Sequence, residues 1–176
     1  MLIGLIIIIV TLLLDQVTKQ LAYQLIAPTF SGTNTVVIPK LLELSYYENP
    51  GASLGFLRDF AYKDIVFFLI TVAALVIFGY LFKDSDFKHK KVYTISVALF
   101  ISGTLGNAID RAIYGFVIDF LHYPFLDFLD NLPGLSNFTN NLADNYLSAA
   151  IVLFAIDLFF FESKRLKKTK EVNDAT

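Results

Sequence analysis

Residues 1–26, MLIGLIIIIVTLLLDQVTKQLAYQLI, decide the fold, because they are almost continuously apolar as far as Asp15. A helix needs about 20 such residues to cross the hydrocarbon layer of a membrane. A secretory signal would begin with a basic segment and end at a small-residue cleavage site, and this stretch has neither. We therefore predict that residues 1–26 form an uncleaved first membrane helix.

Three further apolar stretches, at about residues 64–82, 92–113 and 142–161, have the same character. The chain has 176 residues, of which 56% are hydrophobic and 17% are charged. Soluble domains contain about 25% charged residues. The sequence therefore predicts an all-α membrane protein, built as a single integral membrane domain of residues 1–176 with four transmembrane helices.

Several chemistries are excluded by composition. The chain has no cysteine, which excludes disulfides, a thiol nucleophile and thiolate metal sites. Its two histidines, His89 and His122, are too few for a multi-histidine metal site. No basic patch interleaved with aromatic residues is present. We expect no metal, no cofactor and no nucleic-acid partner.

Basic residues are distributed unevenly among the connections. Residues 83–91 contain four lysines and the tail, residues 162–176, contains five basic residues, whereas residues 27–63 contain three and residues 114–141 contain none. Basic residues accumulate on the cytoplasmic side of membrane proteins. This distribution predicts that both termini and the 83–91 loop are cytoplasmic, and that both long connections face outward.

The two outward connections differ in pattern. Residues 30–60 alternate in places and are punctuated by glycine and proline, which predicts a small antiparallel β-cradle on the outer membrane surface. Residues 120–141 are irregular, apolar and acidic, and we interpret them as an outer flap at the membrane interface.

Four carboxylates share one predicted depth. At 1.5 Å per helical residue, Asp15 lies roughly 21 Å and Asp110 roughly 28 Å above the cytoplasmic end of its helix. Asp144 begins a helix that enters from outside, and Asp119 follows the outer end of the third helix. Ionisable groups at membrane depth are costly and usually mark a functional site.

Two of these acids have basic neighbours. Asp15 and Lys19 are four residues apart, the spacing of an ion pair on one helix face. Asp110 is followed directly by Arg111, which we interpret as a second structural ion pair, with Asn107 one turn earlier. Two glycines, Gly103 and Gly106, would let another backbone approach this helix closely.

The other two acids lack such neighbours. Asn141 and Asp144 have the spacing of a helix N-cap and an acid at the third helical position, where the positive helix end favours a negative charge. Asp119 is bracketed by large apolar residues, and burial raises a carboxyl pKa. Opposite environments of this kind suit a general acid and a general base. A Ser-His-Asp site using His122 is not favoured, because the serines lack a nucleophile-elbow context.

Five segments of the chain stand out together. They are Asp15-Gln16-Val17-Thr18-Lys19, Asn49-Pro50-Gly51-Ala52, Gly106-Asn107-Ala108-Ile109-Asp110-Arg111, Val117-Ile118-Asp119-Phe120 and Asn141-Leu142-Ala143-Asp144. Taken alone, Asn49-Pro50-Gly51 is a turn between strands. Together the five segments resemble the lipoprotein signal peptidase (signal peptidase II) family, in the family's order and across nearly the whole chain.

The resemblance implies an aspartic endopeptidase of the bacterial cytoplasmic membrane with its active site at the extracytoplasmic face. Its implied partners are membrane lipid and a prolipoprotein, cleaved before a cysteine that carries diacylglycerol, and we expect a monomer. Asp119 and Asp144 would form the catalytic dyad. Substrate-binding or dyad-supporting residues would be Asn49, Gly51, Asn107, Arg111 and Asn141, while Asp15, Lys19 and Asp110 would hold the site together.

Two departures concern the substrate pocket. The family often has a longer Ala-rich run with Phe where this chain has Ala52-Ser53-Leu54-Gly55-Phe56, and it usually has Phe where this chain has Asn140. Two other function classes remain open. A proton-coupled transporter could use Asp15, Asp110 and Asp144 as a relay, although polar groups are scarce elsewhere in the helices. A non-catalytic membrane scaffold would leave the clustered acids unexplained.

Overall fold

The computed structural model describes residues 1–51, 60–131, 139–162 and 164–165. Within them, four helices are long and apolar enough to cross a membrane: α1 (Leu2–Leu21), α2 (Lys63–Phe82), α3 (Lys91–Tyr114) and α4 (Leu142–Ile156). A π-helical turn (Ala22–Ile26) and a 3-10 turn (Ala27–Thr29) extend α1, and a π-helical segment (Asp157–Glu162) extends α4. The predicted set of four apolar helices is confirmed.

Helix α3 occupies the centre and packs against α1, α2 and α4. The close approach predicted at its glycines is confirmed. A Cβ atom on Gly103 would lie 2.7 Å from the carbonyl oxygen of Ala143, and one on Gly106 would collide with the carboxylate of Asp15. Because neither glycine has a side chain, α3 contacts the first turn of α4 and leaves room for Asp15 between them.

The outer surfaces of the helices are apolar. Leu13 is 59% exposed, Phe68 66% and Val152 58%, and many similar side chains surround them. Contiguous exposed apolar surface on this scale is uncommon in soluble monomers and is typical of surfaces that contact a partner or a membrane.

Four antiparallel strands form one sheet in the order β1 (Thr35–Ile38), β2 (Leu42–Asn49), β3 (Val117–His122) and β4 (Thr139–Asn140). Tyr47 on β2 is paired with Asp119 on β3. His122 is paired both with Glu43 on β2 and with Thr139 on β4. The predicted small antiparallel sheet is confirmed.

The sheet extends beyond the predicted cradle of residues 30–60, because β3 and β4 come from the following outer connection. Strand β3 is buried along almost its whole length, so its sequence lacks the alternation that identifies a half-exposed strand. Within the expected flap, Pro124–Asn131 is a 3-10 helix, here named the flap segment. Residues 52–59, 132–138, 163 and 166–176, with parts of the expected cradle, flap and tail, lie outside the described residues.

A left-handed glycine turns the chain from α3 into the sheet. Gly115 has φ = 78°, a conformation that glycine adopts without steric cost, and its N–H bonds to the Arg111 carbonyl. Ile118 and Phe120 on β3 then pack with Ala22 of the extended α1 in a small apolar core. This turn and core bring β3 to the end of the helix bundle, with Asp119 next to α4.

Candidate active site

Asp119 is fully buried and accepts a hydrogen bond on each carboxylate oxygen. Asn49, at the end of β2, donates from Nδ2 to Oδ2 at 2.9 Å. Asn141, the residue before α4, donates from Nδ2 to Oδ1 at 2.6 Å. Amides from two different elements therefore hold this carboxyl group in one orientation.

Each of these amides is itself held by a backbone N–H. The N–H of Gly51 donates to Oδ1 of Asn49 at 3.0 Å, and the N–H of Asp144 donates to Oδ1 of Asn141 at 3.0 Å. The second contact confirms the predicted N-cap of α4. With both amide oxygens engaged as acceptors, only the NH₂ groups can face Asp119.

A third asparagine orients Asp144 through a similar hydrogen bond. Asn107 on α3 donates from Nδ2 to Oδ1 of Asp144 at 2.7 Å. Its own Oδ1 accepts from Nζ of Lys19 at 2.9 Å. Asp144 lies in the first turn of α4, where the helix dipole favours a negative charge.

Lys19 is the cation at the centre of the cluster and is 0% exposed. Its Nζ lies 3.0 Å from Oδ2 of Asp15 and 3.0 Å from Oδ2 of Asp110, in addition to its bond to Asn107. An ammonium group has three donors, and all three are used here. The predicted pair of Asp15 and Lys19 is confirmed, and Lys19 neutralises part of a second buried carboxylate as well.

The two acids bound to Lys19 also anchor the elements that carry Asp119 and Asp144. Oδ1 of Asp15 accepts from the N–H of Ala143 at 2.8 Å, which ties α1 to the first turn of α4. Oδ2 of Asp110 accepts from the N–H of Ile118 at 3.1 Å, which ties α3 to β3. Both tethers end one residue away from a dyad candidate.

The predicted ion pair between Asp110 and Arg111 is wrong, because Asp110 pairs with Lys19. Consecutive helix residues point in different directions and do not face each other. Arg111 instead donates from Nη2 to the carbonyl oxygen of Gly51 at 2.9 Å, and its guanidinium lies 4.5 Å from the ring centre of Phe67. It therefore joins α3 to the turn that follows β2.

Burial, and then the negative charge of Asp144, raise the pKa of Asp119 to about 8. The amide donors of Asn49 and Asn141 oppose this shift without cancelling it. Asp119 therefore holds a proton at neutral pH. The raised pKa agrees in direction with the prediction made from the apolar neighbours of Asp119.

One polar residue of the cluster was missed by the sequence analysis. Nε2 of Gln16 lies 3.2 Å from Oδ2 of Asp15, 3.1 Å from the carbonyl oxygen of Gly106 and 3.2 Å from Oδ1 of Asp110. An uncharged amide beside an ionisable residue at membrane depth was the available signal. Gln16 links the two acids that Lys19 also binds.

The arrangement brings together two carboxyl groups in a buried polar cluster, one of which holds a proton at neutral pH. Such a pair can accept a proton from water and donate one to a carbonyl oxygen, which is the chemistry of aspartic proteases. Among the described residues, no group of three or more His, Cys, Asp or Glu side chains is arranged to bind a metal ion.

Comparison with known proteins decides the family, because the family model for Signal peptidase (SPase) II matches residues 7–160. The chain belongs to the signal peptidase II family. It is similar to the lipoprotein signal peptidase of Clostridium tetani, with 37% identity over 74% of this chain and 84% of that one. The lipoprotein signal peptidase of Staphylococcus aureus is 34% identical over 90% of this chain and 87% of its own length.

Two solved structures have folds similar to that of this chain. One bacterial membrane enzyme, determined by the in meso method at 1.9 Å resolution, has a TM-score of 0.70 and 31% identity, covering 90% of this chain and 93% of that one. Another, at 2.3 Å, has a TM-score of 0.70 and 29% identity, covering 88% and 86% of the two chains. The signal peptidase II family is a protease family, so the recognition made from the five segments is confirmed.

Proposed function

We propose that this signal peptidase II family member is a membrane-embedded aspartic endopeptidase, which removes the signal peptide from bacterial prolipoproteins just before the diacylglyceryl-modified cysteine. The observation that carries the proposal is the pair of carboxyl groups at Asp119 and Asp144, which three oriented asparagines bind. These amides hold the two acids in fixed orientations before substrate arrives.

Asp119 and Asp144 hold one proton between them, so one residue acts as the acid and the other as the base. We assign the shared proton at neutral pH to Asp119, whose pKa is raised, and the ionised role to Asp144, because it lies at the positive end of α4. Asp144 takes a proton from a water molecule as the water oxygen attacks the scissile carbonyl carbon. Asp119 donates its proton to the carbonyl oxygen, which becomes a hydroxyl group.

Collapse of the tetrahedral intermediate completes the reaction. The C–N bond breaks, the hydroxyl proton returns to Asp119, and Asp144 gives the proton that it took from water to the leaving amine. The products are the carboxyl end of the signal peptide and the new amino terminus at the lipid-bearing cysteine. One proton remains on the pair, so the next cycle can begin without external acid or base.

Substrate contacts are assigned to the groups around the pair. Asn49, Gly51, Asn107, Arg111 and Asn141 bind substrate or support the pair, while Asp15, Lys19 and Asp110 hold the site together. A cavity of about 320 Å³ lies beside Arg111 between α2 and α3. The diacylglyceryl chains rest against apolar helix faces, so binding energy remote from the scissile bond contributes to the reaction.

The proposed topology places residues 1–176 as a single domain in the bacterial cytoplasmic membrane, as a monomer, with both termini cytoplasmic and the sheet and site outside. The basic 83–91 loop supports this orientation, and Lys83 and Lys91 lie over the rings of Tyr80 and Phe87 as at a membrane interface. At the other end, Val36 and Val37 on β1 are 57% and 50% exposed, as expected for a sheet edge in contact with lipid headgroups.

A gel-shift assay with one lipidated precursor tests the function. The purified protein, in detergent, is expected to release the signal peptide from the diacylglyceryl-modified precursor and to leave the unlipidated precursor intact. Proteoliposomes of the same preparation provide the comparison with a transporter. Uptake of a small solute without any cleavage would overturn the peptidase proposal.

The pH dependence of cleavage follows from Asp119. The active state needs a proton on this carboxyl group, and its raised pKa keeps the proton bound up to about pH 8. The single-turnover rate is therefore expected to be sustained up to about pH 8 and to fall about tenfold per pH unit above it. A rate that still increases between pH 8 and pH 9.5, with the protein folded, would contradict the assignment of the proton to Asp119.

The double role of Asn141 can be separated with two substitutions. Asn141→Ser retains a side-chain acceptor for the N-cap but removes the NH₂ group that faces Asp119, whereas Asn141→Ala removes both. Both variants are expected to lose about tenfold to a hundredfold in cleavage rate, because Asp119 is charged after it gives up its proton. Only the alanine variant is expected to lose about 1 kcal/mol of stability, measured by chemical denaturation. Wild-type cleavage by the serine variant would contradict this role of the amide.

A further inference from the structure

His122 connects the sheet to the flap segment. It is the last residue of β3, and its side chain is 12% exposed. Its Nε2 lies 3.2 Å from Oδ1 of Asp127 in the flap segment and 3.8 Å from Oε2 of Glu43 on β2. One imidazole nitrogen therefore faces two carboxylates from two different elements.

The carboxylate of Glu43 is held in place by contacts that do not involve the flap segment. Glu43 stands directly opposite His122 in the strand register, and its Oε2 accepts from Nδ2 of Asn34 at 3.0 Å. The Glu43 side chain is 21% exposed, whereas that of Asp127 is 54% exposed. Glu43 and His122 are thus held in the sheet, whereas the more exposed Asp127 is the partner that can separate from them.

The contact between His122 and Asp127 lies at the base, here named the neck, of the chain segment that connects β3, which carries Asp119, to α4, which carries Asp144. His122 pairs with Thr139 on β4, so these two residues close the loop that contains the flap segment. Asp119 is three residues before His122, and Asn141 is two residues after Thr139. A change in how the flap segment sits on this neck therefore acts next to both Asp119 and the amide that binds it.

The titratable groups around His122 determine which charges face its imidazole. Among the described residues, the titratable groups that face it are Glu43 on β2, Asp127 in the flap segment, and Tyr46 and Tyr47, which line the same cavity of about 190 Å³. Burial, and then the charge of Glu48, raise the pKa of Tyr46 above its ordinary value, so Tyr46 is uncharged near neutral pH. Carboxylates are therefore the charged partners of the imidazole here.

We propose that His122 is a positioning residue of the peptidase: when protonated, it holds the flap segment on the sheet through Asp127, and loss of that proton weakens this contact. Histidine is the side chain whose charge ordinarily changes between pH 5 and 8. A cation between two carboxylates is attracted to both, whereas a neutral imidazole retains at most one ordinary hydrogen bond. The flap segment is therefore held more firmly at pH 5.5 than at pH 8.

The kinetic test compares Asp127→Asn with the wild type, using ratios so that the pH dependence of the dyad cancels. This part rests on the proposed peptidase function. At pH 5.5 the variant is expected to show a KM for lipidated precursor about two- to fivefold higher than the wild type, the size of a partly exposed ion pair, with kcat little changed. At pH 8 the two KM values are expected to converge. A double variant with His122→Gln is expected to equal the single variants rather than add to them.

The chain offers a matched control in its other histidine. His89 lies 2.5 Å from Asp86 in the 83–91 loop, at the opposite end of the helices, and both side chains are exposed. Asp86→Asn removes the same kind of carboxylate from the same kind of partner, so it is expected to leave KM unchanged at both pH values. An Asp127→Asn to wild-type ratio that is equal at pH 5.5 and pH 8 would overturn the proposal.

A second measurement does not depend on activity. Because the chain has no cysteine, Phe128→Cys introduces a single site for a nitroxide label in the flap segment. The label's mobility is expected to increase between pH 5.5 and pH 8 in the otherwise wild-type chain, and to be high at both pH values when Asp127→Asn is added. A pH response that persists with Asp127→Asn would overturn the proposal even in a preparation that cleaves no precursor, whereas the expected response without cleavage would overturn the proposed function alone.

Discussion

Replacing Asp119 or Asp144 by Asn is expected to lower the rate of precursor cleavage by about a thousandfold or more, with the protein still folded. Each substitution keeps the size of the side chain but removes either the proton donor or the proton acceptor of the pair. The double variant is expected to be no slower than the worse single variant, because the two groups act as one unit. Single-turnover assays with lipidated precursor in detergent measure this.

The Asp119→Asn variant is expected to fold, because the raised pKa of Asp119 in the wild type means that ionisation of this group opposes folding. The folded protein keeps the Asp119 proton up to about pH 8, whereas an unfolded chain releases it near pH 3.8. Ionisation of this group therefore lowers the free energy of unfolding as the pH rises through this window, and a neutral amide removes that cost. Thermal unfolding at pH 8 checks the fold, and Asp86→Asn serves as an active carboxylate control. Wild-type cleavage by either dyad variant would refute the catalytic assignment.

Replacing Lys19 by Met is expected to cost about 3–5 kcal/mol of stability, because Asp15 and Asp110 would be left buried without their shared cation. The loss should extend to activity, since the Lys19 ammonium also orients the Asn107 amide that binds Asp144. Thermal unfolding in detergent and the yield of monodisperse protein measure the effect.

Two variants separate the loss of charge compensation from the loss of a lysine. Lys88→Met removes an exposed lysine of the 83–91 loop and is expected to leave both stability and yield unchanged. Adding Asp15→Asn to Lys19→Met removes one of the two unpaired charges while keeping an oxygen that can accept from the N–H of Ala143. This double variant is expected to recover part of the lost stability. Equal stabilities for the two Lys19→Met proteins would show that charge compensation is not the reason.

Local patterns in the sequence were sufficient for the elements that depend on neighbouring residues. The apolar stretches gave the four helices, the spacing of Asp15 and Lys19 gave their ion pair, and Asn141 gave the N-cap of α4. In each case the interacting groups lie within one or two helical turns of each other. Such contacts follow from helix geometry alone.

Contacts between distant segments were not predictable in the same way. Strand β3 pairs with β2 although Glu43 and His122 are far apart in the chain, and its buried sequence carries no alternation. The pairing of Asp110 with Lys19 rather than Arg111 likewise depends on how α1 packs against α3. The contacts of Gln16 and of the three amides depend on the same packing, so the sequence indicated Asn49, Asn107 and Asn141 as supporting residues without indicating which acid each one binds.

The fixed orientation of the three asparagines has a consequence for the chemical ageing of the enzyme. Each amide accepts on its oxygen and donates on its nitrogen, so deamidation of Asn49, Asn107 or Asn141 would replace a donor by a negatively charged acceptor of equal size. The new carboxylate would face an existing one across a hydrogen-bond distance. A single hydrolysed amide is thus expected to abolish cleavage, because one donor of the site becomes an acceptor next to an existing carboxyl group.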